Sequence, residues 1–326
     1  MNYVKSPEAS ILIVDDVHPF LIEALQAHKL VCDYFPMISK EEALGLIGTY
    51  EGLVIRSKFR LTAEVLVGAS PGLRFVARAG AGMDNIDVKA AASLRVTLLN
   101  APEGNRDAVG EHTLGMLLAL AAKLIPATKQ VKGMIWNRSA NRGIELKGRC
   151  VGIIGYGFMG TSFAAKLGSL ECRVMAYDKY RTGFGSAAVE EVTLEQIFDE
   201  ADILSLHVPL TRETKGWVNA AFFERFKKPT VFLNTSRGEV VNTADLVEAL
   251  QSGKVKSAGL DVLENEKFPL DVSVNPWFEA LASMPQVILT PHIAGWTTES
   301  YLRISKVLAV KILAFYGLGP HWPPVF

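Results

Sequence analysis

The sequence predicts an α/β protein built from two successive parallel-sheet arrays, on three observations. Short apolar runs alternate with helical patterns, which is how parallel strands joined by crossover helices read. The alternation is interrupted after about a hundred residues and restarts at Cys150. The 326 residues, at roughly 150 per domain, suggest two domains.

In the first array the strand candidates are residues 10–14, 31–34, 53–55, 74–77 and 96–99. Helical stretches at 19–27 and 39–47 separate the first three, and Ser39 followed by Glu42 is a capping-box pattern. Thr62 opens the next helix. After the fourth strand comes Ala79-Gly80-Ala81-Gly82, which lacks a third glycine because Asn85 stands there. Its N–H groups could cradle a carboxylate, or the segment could be a plain loop. Residues 105–124 read as a long Ala- and Leu-rich helix, followed by a second helical stretch and a polar segment at 136–148.

In the second array the strand at 151–154 runs into Gly155-Tyr156-Gly157-Phe158-Met159-Gly160, and a helix at 161–167 follows. Strand, GxGxxG and helix together form a dinucleotide fingerprint. The first glycine permits the turn, and the second lets a pyrophosphate approach the backbone. The third lets helix and strand pack closely, and the helix N-terminus attracts the anion. The next strand, 173–177, ends at Asp178, 18 residues beyond Gly160. A carboxylate there accepts from an adenosine ribose and repels a 2′-phosphate, so NAD is favoured. Lys179 and Arg181 leave some room for NADP.

Further strands are expected at 203–207, 231–234, 257–260 and 287–289. Parallel strands deliver their carboxyl ends to one edge, where ligands bind. These strands end near His207, near Thr235-Ser236-Arg237, at Asp261 with Glu264 and Glu266 beyond, and at Pro291-His292. Singly, such an arginine, glutamate or histidine is most often structural. Delivered jointly, they suit oxidation of a 2-hydroxy acid. A histidine accepts the hydroxyl proton, and a neighbouring carboxylate orients the ring and favours the imidazolium. A guanidinium grips the substrate carboxylate and stabilises charge on the reacting oxygen. His112 reads as structural and His207 as lining the cofactor cleft. The final helix, 298–316, cannot form a domain alone and is expected to return to the first array, before a Pro-rich tail.

Composition bounds the function. Hydrophobic residues make up 49% and charged residues 21%, a globular mix. Thirty-four basic residues balance thirty-four acidic ones, which argues against nucleic-acid or anionic-membrane partners. The start has no basic head with a long apolar stretch, and no segment reaches the roughly 18 apolar residues of a membrane helix. Cys32, Cys150 and Cys172 are odd in number with no CxxC pair, so neither a disulfide framework nor a metal site is expected. A cytoplasmic setting follows.

The chain resembles the D-isomer-specific 2-hydroxyacid dehydrogenases over essentially its whole length. The residues that carry the resemblance are 78–87 (RAGAGMDNID), the glycine turn at 155–160, 234–238 (NTSRG), 259–262 (GLDV) and 290–295 (TPHIAG). It implies two doubly wound parallel-sheet domains. A Rossmann NAD domain, residues 102–294, is inserted into a flavodoxin-like substrate domain of residues 1–101 and 295–326. It implies catalytic Arg237, Glu266 and His292, with Glu266 paired to His292. NAD would meet Gly155, Gly157, Phe158, Met159, Gly160, Asp178, His207, Val208, Thr235, Ser236 and Asp261. The substrate would meet Arg56, Ser57, Gly80, Ala81 and Gly82. A homodimer through the cofactor domains would use the long helix from Asn105.

Within the family, Arg56-Ser57 and the 78–85 segment resemble the subgroup acting on D-3-phosphoglycerate. There Arg56, Lys58 and Arg60 would form a basic cluster for the phosphate. Many of that subgroup carry a C-terminal regulatory domain, and this chain ends soon after its last helix, so serine feedback is not expected. Lys267 stands where the family often has proline, and residues 271–281 read as an insertion. Alternatives are a glycerate, hydroxypyruvate or glyoxylate reductase, and an NADH-sensing corepressor-like protein.

Overall fold

The computed structural model describes residues 3, 6, 8, 10–266 and 275–320. The chain divides into two compact units, one of Met1–Asn105 with Trp296–Phe326 and one of Arg106–Gly295.

The first unit holds β1 (Ile11–Ile13), β2 (Cys32–Tyr34), β3 (Gly52–Ile55), β4 (Phe75–Arg78) and β5 (Thr97–Asn100). They form one sheet in the order β2-β1-β3-β4-β5, all parallel. This is the flavodoxin-like strand order. Alternate residues of the central strands enter different cores, as the two-residue pleat requires. Leu12, Leu53, Ile55 and Val76 join one core with Ala43, Leu66 and Ala91 from short helices. Ile11, Ile13, Val54 and Phe75 join the other with Leu21, Leu25, Leu308 and Ile312. The last two come from the helix Thr298–Phe315, so the end of the chain covers the sheet laid down by its beginning. Helix starts follow local chemistry. Ser39 and Glu42 form a capping box, Thr62 accepts from the Val65 N–H, and Asp87 accepts from the Ala90 N–H.

The second unit holds β6 (Cys150–Ile154), β7 (Arg173–Tyr177), β8 (Glu190–Glu191), β9 (Ile203–Leu206), β10 (Thr230–Asn234), β11 (Val255–Leu260) and β12 (Val287–Leu289). The order is β12-β11-β10-β9-β6-β7-β8, with every pair parallel. Counted from β6, the first six positions outward from the third strand read 3-2-1-4-5-6, the Rossmann order, with one more strand at the edge. Both faces are again buried. Val151, Ile153, Ile203 and Leu233 pack with Met116 and Phe163, whereas Ile154, Leu204, Phe232 and Leu260 pack with Phe198, Phe223 and Leu246.

Four details differ from the sequence reading. β8 was not expected, because two exposed glutamates carry no apolar pattern. The long helix spans Pro102–Ala121 instead of 105–124. Proline at its first position lacks only an N–H that would have no helical partner, and Lys123 at φ 53° breaks the helix before Leu124–Lys132. β11 begins at Val255, two residues early, because Val255 is buried although Lys256 is not. The insertion-like stretch runs into the helix Phe278–Ser283, which extends two residues beyond it. Lys267, residues 271–274 and the end of the Pro-rich tail lie outside the described residues. Among the described residues no single helix is long and apolar enough to cross a membrane.

Candidate active site

In the second unit the chain winds outward in opposite directions from β6 and β9, which are neighbours. A crevice opens at the carboxyl ends of such strands. Gly155 leaves β6 at φ +93°, and a Cβ on it would lie 2.4 Å from the His207 carbonyl oxygen. A Cβ on Gly160 would lie 2.1 Å from the Gly155 carbonyl oxygen, whereas one on Gly157 would meet nothing within 4 Å. Two glycines are therefore demanded by packing, and the third faces open space. The helix Phe158–Leu167 starts directly at this turn, so its first N–H groups face outward at the positive end of the helix. Phe158 is exposed and Met159 half-buried there.

Asp178 closes β7. Its Oδ2 accepts from the Tyr156 N–H at 2.8 Å, and its Oδ1 accepts from the Tyr180 and Arg181 N–H groups at 2.9 and 3.1 Å. The two cations that left room for NADP are both engaged. Lys179 pairs with Glu213, and the Arg181 guanidinium donates to the Tyr156 carbonyl. A cavity of about 390 Å³ lies beside Gly155, Gly157, Asp178 and His207. His207 Nε2 meets the Ser205 hydroxyl at 2.9 Å, and its Nδ1 is buried with no hydrogen-bond partner among the described residues. Burial pulls this imidazole down to about 3, so it is neutral and suited to a polar but uncharged ligand atom. Val208 lines the same turn, 3.1 Å from the position of a Gly155 Cβ. The open glycine, outward helix N–H groups, carboxylate and orphaned imidazole nitrogen fit a dinucleotide.

Arg237, Glu266 and His292 follow β10, β11 and β12, three adjacent parallel strands, so all three leave the same sheet edge. Asn234 shapes the first loop. Its Oδ1 accepts from the Ser236 N–H and hydroxyl at 3.0 and 2.7 Å, and its Nδ2 donates to the Arg237 carbonyl at 3.0 Å. Arg237 donates from Nη1 to the Ser236 carbonyl at 2.6 Å. Gly238 lets this loop meet the next one, because a Cβ there would lie 2.0 Å from the Leu263 carbonyl.

In that next loop the two glutamates separate. Glu264 accepts from the Thr243 N–H at 2.6 Å. Glu266 Oε1 meets His292 Nδ1 at 2.6 Å, which leaves Nε2 with no protein partner among the described residues. His292 itself sits at φ +54°. Its N–H donates to the Asp261 carbonyl at 2.8 Å, and Asp261, 1% exposed, holds the rest of the turn. The Asp261 carboxylate accepts from the Thr290 hydroxyl at 2.6 Å and from the Ile293 and Ala294 N–H groups at 2.9 and 2.8 Å.

Three residues expected against the cofactor thus have demonstrable work inside the protein. Asp261 holds the His292 turn and Ser236 the Arg237 turn. Thr235 is buried, with its hydroxyl 3.1 Å from that of Thr113. Sequence reasoning assigned no role to Thr113, nor to Asn234 and Thr290, although the last two stand in segments that carry the resemblance. Their one visible signal is a polar residue at or facing the end of an apolar strand. His112 belongs to the same network, with Nε2 3.1 Å from the Thr290 hydroxyl.

The first unit carries the other expected residues. The Arg56, Ser57 and Lys58 N–H groups all donate to Asp15 Oδ2, so the backbone of Ser57 is engaged by protein. Lys58 and Arg60, expected beside Arg56 as a basic cluster, are each held by backbone carbonyls. Lys58 Nζ donates to the Pro36 and Ile38 carbonyls, and Arg60 donates to the Asp84 carbonyl. Both charged groups thus spend donors on the protein backbone, Lys58 on residues 36 and 38 and Arg60 on residue 84. Gly80 sits at φ +150°, with the Arg78 guanidinium 1.8 Å from where a Cβ would be, and its N–H donates to the Arg78 carbonyl at 2.8 Å. Gly80 therefore does not offer a free N–H, but Ala81 and Gly82 do among the described residues.

Residues 114–294 match the family model described as D-isomer specific 2-hydroxyacid dehydrogenase, NAD binding domain. The chain is 34% identical over 305 residues to a D-3-phosphoglycerate dehydrogenase of Archaeoglobus fulgidus, covering 93% of this chain and 56% of that protein. The chain thus spans a little over half the length of that relative. It is also 34% identical to a hydroxypyruvate reductase of Thermotoga maritima, covering 86% of this chain and 90% of that one. A D-lactate dehydrogenase from Aquifex aeolicus, solved with NAD and lactic acid, superposes with a TM-score of 0.82 at 28% identity, covering 94% and 95% of the two chains. The chain belongs to the D-isomer specific 2-hydroxyacid dehydrogenase family, and its second unit carries that family's NAD-binding domain.

Proposed function

We propose that this protein is an NAD-dependent dehydrogenase interconverting a D-2-hydroxy acid and its 2-keto acid, with D-3-phosphoglycerate and 3-phosphohydroxypyruvate as the pair. One observation carries the reading: the imidazole of His292 is bound through Nδ1 to Glu266, on the sheet edge that Arg237 also leaves. Bound NAD supplies the hydride acceptor. The Nε2 of His292 takes the hydroxyl proton during oxidation and returns it during reduction. Glu266 fixes the ring and stabilises the imidazolium that forms. Arg237 pairs with the substrate carboxylate and stabilises negative charge on the reacting oxygen. The glycine turn, Asp178, His207 and Val208 hold the dinucleotide, and Arg56, Ala81 and Gly82 recognise the acid.

The domains we propose are a cofactor domain of 102–294 and a substrate domain of 1–101 with 295–326. A homodimer through the cofactor domains is supported by exposed apolar side chains between 118 and 144, Leu124, Ile125, Val131, Met134 and Trp136 among them. The three free thiols suit a reducing cytoplasm.

A second reading, reduction of unphosphorylated hydroxypyruvate or glyoxylate, is favoured by the engagement of Lys58 and Arg60 with backbone carbonyls. Purified protein with NADH, tested against 3-phosphohydroxypyruvate, hydroxypyruvate and glyoxylate, decides between them. A kcat/KM ranking led by the phosphorylated acid supports the first reading, and one led by hydroxypyruvate or glyoxylate supports the second. NADH binding without turnover on any of them overturns both in favour of a sensor.

A further inference from the structure

Arg56 stands just beyond β3 in the first unit, and its surroundings hold it more firmly than a surface loop would. Its backbone is fixed by Asp15, whose Oδ2 accepts its N–H at 2.6 Å. Its guanidinium carbon lies 3.6 Å from the centre of the Trp296 ring. Trp296 is itself placed by the chain, because the next residue, Thr297, caps the helix Thr298–Phe315. The Tyr301 ring lies 6.0 Å from it, and the Tyr301 hydroxyl donates to Asp16 Oδ2 at 2.9 Å. Asp16, Arg56, Ala79, Trp296 and Tyr301 border one small cavity, so the stack adjoins the turn that bears the free Ala81 and Gly82 N–H groups. Stacking on an indole uses the face of a guanidinium and leaves its in-plane donors available. Among the described residues none of those donors has a protein partner, although the group is half-buried.

We propose that Trp296 is a positioning residue for substrate recognition, holding the Arg56 guanidinium flat so that its free N–H edge reads an oxyanion of the substrate, carboxylate or phosphate. This rests on the dehydrogenase reading above. A free arginine samples many rotamers, and ordering it on binding weakens the complex. Trp296 orders it beforehand. Such help is the same in the ground state and the transition state, so it lowers KM and leaves kcat unchanged.

The test compares wild type, Trp296→Ala, Trp296→Phe and Arg56→Lys with D-3-phosphoglycerate and with D-glycerate. Steady-state kinetics are paired with calorimetric titration of each acid and with NADH binding by fluorescence. Trp296→Ala should raise KM and Kd about tenfold, as expected for loss of a desolvated cation–π contact, with kcat and NADH affinity within about twofold. Trp296→Phe should recover most of the loss, and Trp296→Ala should add nothing to Arg56→Lys. A rise confined to D-3-phosphoglycerate identifies phosphate as the group read, and a rise for both acids identifies the carboxylate. Turnover with KM and Kd unchanged in Trp296→Ala overturns the proposal and leaves the dehydrogenase reading intact. No turnover in wild type, with Trp296-dependent binding of either acid, overturns the dehydrogenase reading and keeps the proposal. Equal losses in kcat, NADH affinity and thermal stability would make Trp296 merely structural and overturn it.

Discussion

His292 occupies the left-handed region at φ +54°, which costs a non-glycine residue roughly 1 kcal/mol. Asp261 maintains that conformation through the Thr290 hydroxyl and the Ile293 and Ala294 N–H groups. The unusual backbone aims one side chain, and Glu266 fixes which ring nitrogen stays open. Substituting His292→Gln removes the proton acceptor and little else. Its kcat should fall about 10²- to 10⁴-fold, while NADH affinity measured by fluorescence stays within about twofold. Turnover near the wild-type rate would remove His292 from acid–base chemistry.

His207 makes the opposite use of an imidazole. Burial depresses it from 6.5 to about 3, so the unfolded chain binds a proton there that the native chain refuses. The native state therefore loses stability as pH falls below about 6.5, and the loss ends only near 3. At pH 5 the cost amounts to about 2 kcal/mol. Urea unfolding of wild type and His207→Asn at pH 8 and pH 5 should show the variant gaining on wild type by about that amount in acid. An unchanged difference would mean that His207 titrates normally.

At the scale of elements, the strand–turn–helix β6-Gly155–Gly160 separates packing from binding within six residues. Gly160 has no room for a methyl group, which would lie 2.1 Å from the Gly155 carbonyl oxygen. Gly160→Ala should destabilise the protein by about 1–3 kcal/mol and lose NADH binding with it. Gly157 has open space instead. Gly157→Ala should leave the melting temperature within a degree or two yet weaken NADH about tenfold, since the methyl group stands where a pyrophosphate would approach. If both variants melt normally and bind normally, the turn does not hold the cofactor. This element was fully readable in the sequence because its determinants are local: glycine φ freedom, a buried strand and a helix start. β8 was not readable, since Glu190 and Glu191 form a strand only because β7 is there to pair with them.

At the scale of the whole molecule, the buried apolar side chains are shared between the two parallel sheets and the helices packed on their faces, and the helices of residues 102–132 leave Leu118, Leu124, Ile125 and Val131 exposed. Burying apolar residues gathered on one segment would stabilise the proposed dimer. Just beyond these helices, Trp136 adds the largest side chain of the segment, 80% exposed. Sedimentation of the wild type at micromolar concentration should give a dimer. Trp136→Glu should raise the dimer dissociation constant by about tenfold or more, with NADH affinity unchanged. A monomeric wild type would remove the dimer from the description.

The amino-acid order by itself determined the two parallel α/β arrays, the dinucleotide turn with Asp178, and the candidacy of Arg237, Glu266 and His292. Each of these follows from short-range pattern, or from the rule that parallel strands end at one edge. The resemblance named Glu266 as the partner of His292, and tertiary structure supplies the physical reason: Glu264 goes to a helix N-terminus and Glu266 to His292. Tertiary structure alone sent Lys58 and Arg60 to separate carbonyls and laid Arg56 on Trp296, 240 residues further along the chain. The reason is the same in each case. A long polar side chain is directed by whichever donors, acceptors and rings folding brings within hydrogen-bond or stacking distance, and those partners are distant in sequence.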